Sequence, residues 1–154
     1  PAIFNVTTFT QYTSSDYNGF RPNPNVAASF RWSAPRAGVI ADYNRFGHMA
    51  ELTAREFSTL EEYAAATGQD SNSVLVDYDV FVKVPQLDAQ DMETVQNLYH
   101  VRDLDFRLRE GSAAVDRGTP LATVTDGFAG RAPDLGALEL GAPLPFYGPR
   151  PLEE

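Results

Sequence analysis

Glycine and proline recur throughout residues 126–151, which read DGFAGRAPDLGALELGAPLPFYGPRP. Glycine adopts the positive φ angles of tight turns, and an aspartate in a turn accepts hydrogen bonds from backbone N–H groups two or three residues on. The sequence therefore predicts a run of turns in which Asp116 and Asp134 accept such bonds, while Arg131 pairs with Asp134 or Glu139. The alternative interpretation of the same residues is a calcium or sugar site.

Short runs of strand-forming residues occupy much of the remaining chain. Residues 3–13, 26–32 and 37–43 are rich in β-branched and aromatic side chains, which favour strands. The strongest strand pattern is NSVLVDYDVFVKV, residues 72–84, because its side chains would alternate between two faces. A bend at residues 77–79 would interrupt that alternation.

One segment, residues 58–68, has the signals of a helix. Ser58 precedes Glu61 by the three residues of a capping box, and Gly68 follows as a C-terminal glycine. The face expected to rest on an apolar surface consists of Leu60, Tyr63, Ala64 and Thr67. Residues 87–99 favour a second short helix or an excursion. With no alternation of strand and helix, the inventory predicts an all-β chain.

Charge and composition limit the classes of binding partner expected for this chain. The chain has 21 acidic and 12 basic residues, a net charge of −9 and no cysteine. Because no basic stripe is present to neutralise phosphates, we expect neither a nucleic acid nor an anionic membrane as partner. Neutral sugars, cations, or an acidic polymer bound through a divalent ion fit better. No apolar stretch is long enough to predict membrane insertion.

Several motifs in the chain recur together, in the same order, in one group of proteins. DFRLREGSAAVDRG (residues 105–118) and DGFAGRAPDLGALELG (residues 126–141) resemble the closing coils of bacterial right-handed parallel β-helix proteins of the pectate-lyase-like class. Ala113 stands where that family usually has proline. Residues 57–81 are similar to the helix, turn and strand that precede those coils, and residues 14–20, SSDYNGF, to a recurrent turn.

The resemblance implies a fold and a position in a longer protein. Residues 1–154 would form a single all-β domain, the C-terminal coils and cap of a right-handed parallel β-helix with one short helix and a Gly/Pro-rich closing segment. At the 20–45 residues per unit of solenoids, the chain would supply roughly four to six coils. We therefore expect the N-terminal remainder of the same β-helix to precede Pro1.

The resemblance also implies a secreted bacterial protein, extracellular or periplasmic, with polysaccharide as its partner. It would be a polysaccharide lyase or glycoside hydrolase whose catalytic residues lie mostly outside this chain. The alternative is a non-catalytic solenoid, either a surface adhesin or a carbohydrate binder. A third interpretation is a self-contained all-β domain that shares only short motifs with the family.

Asp77 and Asp79 form a candidate metal site. Alternate positions of a strand lie roughly 6.5–7 Å apart on one face. That separation suits two ligands of one Ca²⁺, or an inverting pair of carboxylates with a water between them. The simpler interpretation is a solvated strand face, on which acidic residues are common.

Three residues are candidates for proton transfer. Lys83 could act as the base of a lyase if burial favoured its neutral form, but the acidic surroundings oppose this. His48 is the other candidate base, and His100 also carries a group that titrates near neutral pH. A single histidine in a loop is more often a polar contact than a base.

The most attractive binding stretch is YTSSDYNGFRPNPNVAASFRW, residues 12–32. The predicted substrate-binding residues are Tyr17, Asn18, Arg21, Arg31 and Trp32. Aromatic rings stack on sugars, and guanidinium or amide groups bond hydroxyls or a uronate carboxylate. The alternative is that the aromatic side chains pack into the flank of a sheet.

Overall fold

The structure is a computed structural model that describes residues 4–6, 14–33, 54–88 and 90–144. The chain divides into two compact units, Pro1–Asp77 and Tyr78–Glu154. Within the described ranges, no helix combines the length and the apolar content needed to cross a membrane.

Short strands form two small sheets in the described part of the first unit. β1 (Phe4–Val6) pairs in parallel with β3 (Phe30–Trp32), and β4 (Arg55–Phe57) pairs antiparallel with the other side of β3. A separate parallel pair joins β2 (Gly19–Phe20) to β5 (Val74–Leu75). The strands predicted within residues 3–13 and 26–32 are thus confirmed in part, and residues 37–43 lie outside the described residues.

The predicted helix is confirmed as α1 (Leu60–Thr67). It ends at Gly68, whose φ of 72° is left-handed and whose N–H donates to the carbonyl of Ala64. The predicted cap was wrong by one residue, because Thr59 Oγ1 accepts the N–H of Glu62 at 3.2 Å. Ser58 instead donates its hydroxyl to the carbonyl of Ala27 at 3.0 Å.

Aromatic residues dominate the core of the first unit. Its buried members are Phe20, Phe30, Trp32, Leu60 and Tyr63, with Phe57 packed against them. Tyr63 lies at the centre, with its ring stacked on Phe30 at 5.1 Å and tilted against Trp32 at 6.0 Å. Each buried side chain of this size contributes about 1.5–3 kcal/mol, so these residues stabilise the described part of the unit substantially.

The described part of the second unit contains a single two-stranded sheet. A 3₁₀ turn (Tyr78–Val80) leads into β6 (Phe81–Lys83), which pairs antiparallel with β7 (Asp105–Leu108). Between the two strands in the sequence lies α2 (Met92–Gln96), which begins after the cap Asp91. Of the two alternatives for residues 87–99, a short helix or an excursion, the structure has the helix. The buried apolar side chains among the described residues of the second unit are Val80, Leu108, Ala114 and Pro133.

The predicted fold, the C-terminal coils of a right-handed parallel β-helix, is wrong. A solenoid of coils requires long parallel sheets that continue from coil to coil, whereas the described residues form three separate sheets of two or three strands. Two of the strand pairings, β3 with β4 and β6 with β7, are antiparallel. Left-handed turns at Tyr17 and Asp70, with φ of 57° and 54°, shortly precede β2 and β5. The strands that follow these turns are only two residues long, so a strand pattern that is continuous in the sequence becomes short strands in the structure.

Candidate functional site

A buried carboxylate joins two loops of the first unit. Asp70 is 1% exposed, and its Oδ1 accepts hydrogen bonds from three side chains. The donors are Ser15 Oγ at 3.1 Å, Asn18 Nδ2 at 2.8 Å and Ser73 Oγ at 2.7 Å. Burying a carboxylate costs free energy unless it is hydrogen-bonded, and these three donors offset that cost for Asp70. We call these four residues the Asp70 network.

The Asp70 network reaches the aromatic core through Tyr63. Burial raises the pKa of the Tyr63 phenol well above its ordinary value, and the nearby negative charge of Asp70 raises it further. The phenol therefore keeps its proton at neutral pH.

A second carboxylate, Asp16, holds the same two loops together at the surface. It accepts bonds from Asn72, through the backbone N–H at 2.8 Å and Nδ2 at 2.7 Å, and from the N–H of Tyr17 at 3.0 Å. Slight burial raises the pKa of Asp16, but the bonds from Asn72 and Tyr17 outweigh it and leave the pKa below its ordinary value. The SSDYNGF motif and the loop after α1 are thus bound to each other.

Three predicted substrate-binding residues lie within or just after the SSDYNGF motif. Asn18 gives its amide N–H groups to Ser15 and Asp70, and its backbone N–H to Ser73. Tyr17 is half-buried and has a left-handed φ of 57°. Arg21 forms an ion pair with Asp77, with Nε 2.7 Å from Oδ1. In this arrangement Asn18 and Arg21 serve contacts within the protein.

The other two predicted binding residues lie on opposite faces of β3. Trp32 is 5% exposed and packs in the aromatic core, which is the alternative that the sequence left open. Arg31 is exposed on the outer face, with Glu56 of β4 as its cross-strand neighbour. The structure therefore does not bring the five residues together on one surface, and sugar binding by them stays a prediction.

The predicted metal ligands do not share a strand. β5 ends at Leu75, and Asp79 lies in the 3₁₀ turn, so the chain bends at the DYD sequence. The Asp77 carboxylate accepts a hydrogen bond from Nε of Arg21. Within the described ranges, no group of three or more His, Cys, Asp or Glu side chains is placed to hold a metal ion.

The candidate bases are likewise not assembled into a site. Lys83 is exposed in β6 opposite Asp105, whose carboxylate is bound by Arg107. His100 is exposed just before a 3₁₀ turn (Val101–Asp103). His48 lies outside the described residues.

A third network of hydrogen bonds links three segments of the second unit, residues 114–118, 130–135 and 139–140. We call these three segments the closing clasp. Asp116 Oδ1 accepts the N–H groups of Arg131 at 2.7 Å and Ala132 at 3.2 Å. These two bonds hold the pKa of Asp116 below its ordinary value, with a smaller contribution from the Arg131 side chain. Asp116 itself has a left-handed φ of 57°.

Asp134 occupies the centre of the clasp and is buried, with 8% of its surface exposed. Its Oδ1 accepts the N–H of Asp116 and its Oδ2 the N–H of Leu140, both at 2.7 Å. Its own N–H donates to Glu139 Oε1 at 3.0 Å. The expectation that these aspartates accept backbone bonds is confirmed. Their partners, however, lie six to eighteen residues away rather than two or three.

The predicted ion pair of Arg131 with Asp134 or Glu139 was wrong. Arg131 Nε lies 3.4 Å from Asp116 Oδ2, and the arginine side chain is 90% exposed. Both oxygens of Asp134 already have backbone donors, and Glu139 is bound to a backbone N–H as well. The arginine therefore reaches only the outer oxygen of Asp116.

A partly exposed aromatic pair on the sheet of the second unit was not predicted from the sequence. The rings of Phe81 and Phe106 meet edge to face with centroids 5.7 Å apart, and Phe106 is 50% exposed. Next to Phe106, Arg107 binds Asp105 in a two-pronged ion pair. The signal that could have found the pair is the half-apolar DFRL strand, in which Leu108 alone is buried.

The chain matches no family model, no curated protein and no solved structure.

Proposed function

We propose that the described part of this chain has a structural, non-catalytic role in a secreted protein that acts on polysaccharide. The observation that carries the proposal is that polar side chains of the motifs form hydrogen bonds within the protein. Asp70, Asp116 and Asp134 are engaged with backbone N–H groups and neighbouring side chains, which hold loops in place. A general acid or a nucleophile must instead be directed at a substrate.

Polysaccharide as the substrate class is supported by sequence features. Residues 105–118 and 126–141 resemble the closing motifs of proteins that act on such polymers, and these are the segments that contain most of the closing clasp. The acidic charge of −9 disfavours phosphate polymers. Proteins of this kind would perform catalysis with residues outside the described part of the chain.

The test is to incubate the chain of 154 residues with a panel of uronate and neutral polysaccharides. We expect neither unsaturated sugar ends, seen by their ultraviolet absorbance, nor new reducing ends. Either product, formed by the wild type and lost in the Lys83→Ala variant, would contradict the non-catalytic role. A melting curve of Asp134→Asn, measured in parallel, checks the structural role, and an unchanged Tm would contradict it.

A second candidate function, polysaccharide binding without cleavage, is favoured by the partly exposed pair Phe81 and Phe106. A sugar ring can stack on a half-exposed aromatic face, and the neighbouring Arg107 carries hydrogen-bond donors for hydroxyls. Binding is measured by affinity electrophoresis in gels that contain each polymer. The Phe106→Ala variant should lose retardation, whereas Leu121→Ala should keep it, because Leu121 is 51% exposed but aliphatic. Equal retardation of both variants would exclude this surface.

A further inference from the structure

We propose that the closing clasp is an acid-labile device: it is closed while its carboxylates are ionised and opens when they take up protons, without unfolding of the aromatic core of the first unit. The inference rests on which groups hold the clasp together. It concerns a conformational change that the structural role alone does not require.

Carboxylates supply most of the bonds across the clasp. Five backbone N–H groups donate to them: two to Asp116, two to Asp134 and one to Glu139. Backbone carbonyls close the same segments with the bonds from Gly118 to Pro133 at 2.6 Å and from Leu135 to Ala114 at 2.9 Å. Hydrogen bonds to a charged acceptor are roughly twice as strong as neutral ones. The charged state of the carboxylates therefore decides whether the clasp holds.

Asp134 is the group whose protonation does most damage. Its two oxygens face two different N–H groups, those of Asp116 and Leu140. A proton on either oxygen leaves one part-buried N–H facing a hydroxyl, which is a poorer acceptor, and the other facing a neutral carbonyl. Asp116 differs, because both of its backbone donors bind Oδ1 and a proton can be taken up by Oδ2. Its protonation weakens two bonds without removing either.

The charged groups around these carboxylates do not replace the lost bonds. The charged residues of the three segments beside Asp134 are Asp116 and Arg117 in the first, Arg131 in the second and Glu139 in the third. Arg117 is exposed and the Arg131 side chain is 90% exposed, so solvent screens the attraction of both cations. Acid neutralises the acceptors while these cations remain, which leaves the segments without a strong attraction.

The core of the first unit is held differently. Its contacts are between aromatic rings, which do not titrate in acid, such as Phe30 with Tyr63 at 5.1 Å. Backbone bonds complete it, including Ser29 N–H to the carbonyl of Phe57 at 3.0 Å. The carboxylates described in the first unit, Asp16 and Asp70, bond residues of its two loops rather than Ser29 or Phe57. We therefore expect the Ser29 amide to respond to acid less than the clasp amides.

The test is hydrogen exchange of the whole chain, read residue by residue by NMR and corrected for the intrinsic exchange rate at each pH. From about pH 7 to about pH 3, we expect protection of the Arg131, Ala132 and Leu140 amides to fall at least about tenfold. The Ser29 amide, bonded to Phe57, should change far less. Clasp amides that stay protected at about pH 3, or that lose protection together with the Ser29 amide, would overturn the proposal.

Variants separate charge from general acid sensitivity. Asp134→Asn at neutral pH should reproduce the loss of protection, since an amide can accept only one of the two N–H bonds. Asp116→Asn should weaken protection less, and it serves as the readout if Asp134→Asn does not fold. Asp105→Asn is the matched control, because Asp105 pairs with the Arg107 side chain outside the clasp. Loss of clasp protection in the control, or full protection in both clasp variants, would contradict the mechanism.

Discussion

Replacing Asp70 by alanine is the most informative single change in the first unit. The substitution removes a carboxylate that is 1% exposed and the acceptor of three side-chain hydrogen bonds. Ser15, Asn18 and Ser73 would keep their donor groups, but the oxygen that accepts their hydrogen bonds would be absent. Tyr63 would lose the carboxylate next to its phenol.

The expected cost follows from the number of donors and their surroundings. A buried donor left without an acceptor costs about 1–3 kcal/mol. The three donors are only partly buried, and water can reach them once the carboxylate is gone. Removal of the buried charge also relieves its desolvation. We therefore take the low end for each donor and expect about 3 kcal/mol in total, or a fall in Tm of roughly 12–24 °C for a unit of the size of Pro1–Asp77.

Urea unfolding followed by tryptophan fluorescence measures this change directly. Trp32 is the single tryptophan of the chain and lies in the core next to Tyr63, so its emission reports unfolding of the first unit. Asp79→Ala is the control, because Asp79 is exposed and lies in the 3₁₀ turn of the second unit. Its free energy of unfolding should stay within about 0.5 kcal/mol of the wild type.

A conservative variant provides the refutation. Asp70→Asn keeps one oxygen at the position that accepts all three donors, so we expect it to lose only about 1 kcal/mol. If Asp70→Ala destabilises the first unit by less than about 0.5 kcal/mol, the hydrogen bonds do not stabilise it. If the asparagine variant is as unstable as the alanine variant, charge rather than the number of acceptors governs the network.

Three further changes test other parts of the structure. Gly118→Ala would place a Cβ 2.8 Å from the carbonyl oxygen of Pro133, so we expect a loss of about 1–3 kcal/mol, measured by thermal melting; an unchanged Tm would contradict the close approach. The pKa values of Asp16 and Asp116 are lowered in the folded protein, so the stability they provide is complete above about pH 4 and declines as the pH falls below it. A Tm that is flat or rises from about pH 5 to about pH 3 would refute that sign. Trp32→Ala should cost about 3–5 kcal/mol by circular dichroism, and a loss below about 1 kcal/mol would mean that the tryptophan is not a core residue.

Local signals in the sequence predicted the helix but not the fold. Gly68 ends α1 as expected, since a C-terminal glycine acts within one turn of the helix. The run of apolar alternation over residues 72–84 is the same whether or not the chain bends within it. The bend at Tyr78 divides that run into β5 and β6, and the sequence offered no means of deciding between a long strand and two short ones.

The candidate site shows a similar division between local and distant contacts. That Asp116 and Asp134 accept backbone bonds follows from residue type alone. Their partners depend on contacts between segments far apart in the chain, so the pairing of Arg131 was wrong. Trp32 stands between Arg31 and Ser33 in the sequence, and only the two faces of β3 decide that its ring is buried.

The closing clasp gives the chain a cross-link without a covalent bond. In a protein with no cysteine, Asp116 and Arg131 fix the two ends of the intervening loop in the way that a disulfide fixes the residues it joins. A loop held at both ends tolerates changes in length, since each doubling costs only about 0.6 kcal/mol in closure entropy. An inserted peptide within residues 119–129 should therefore disturb this unit little.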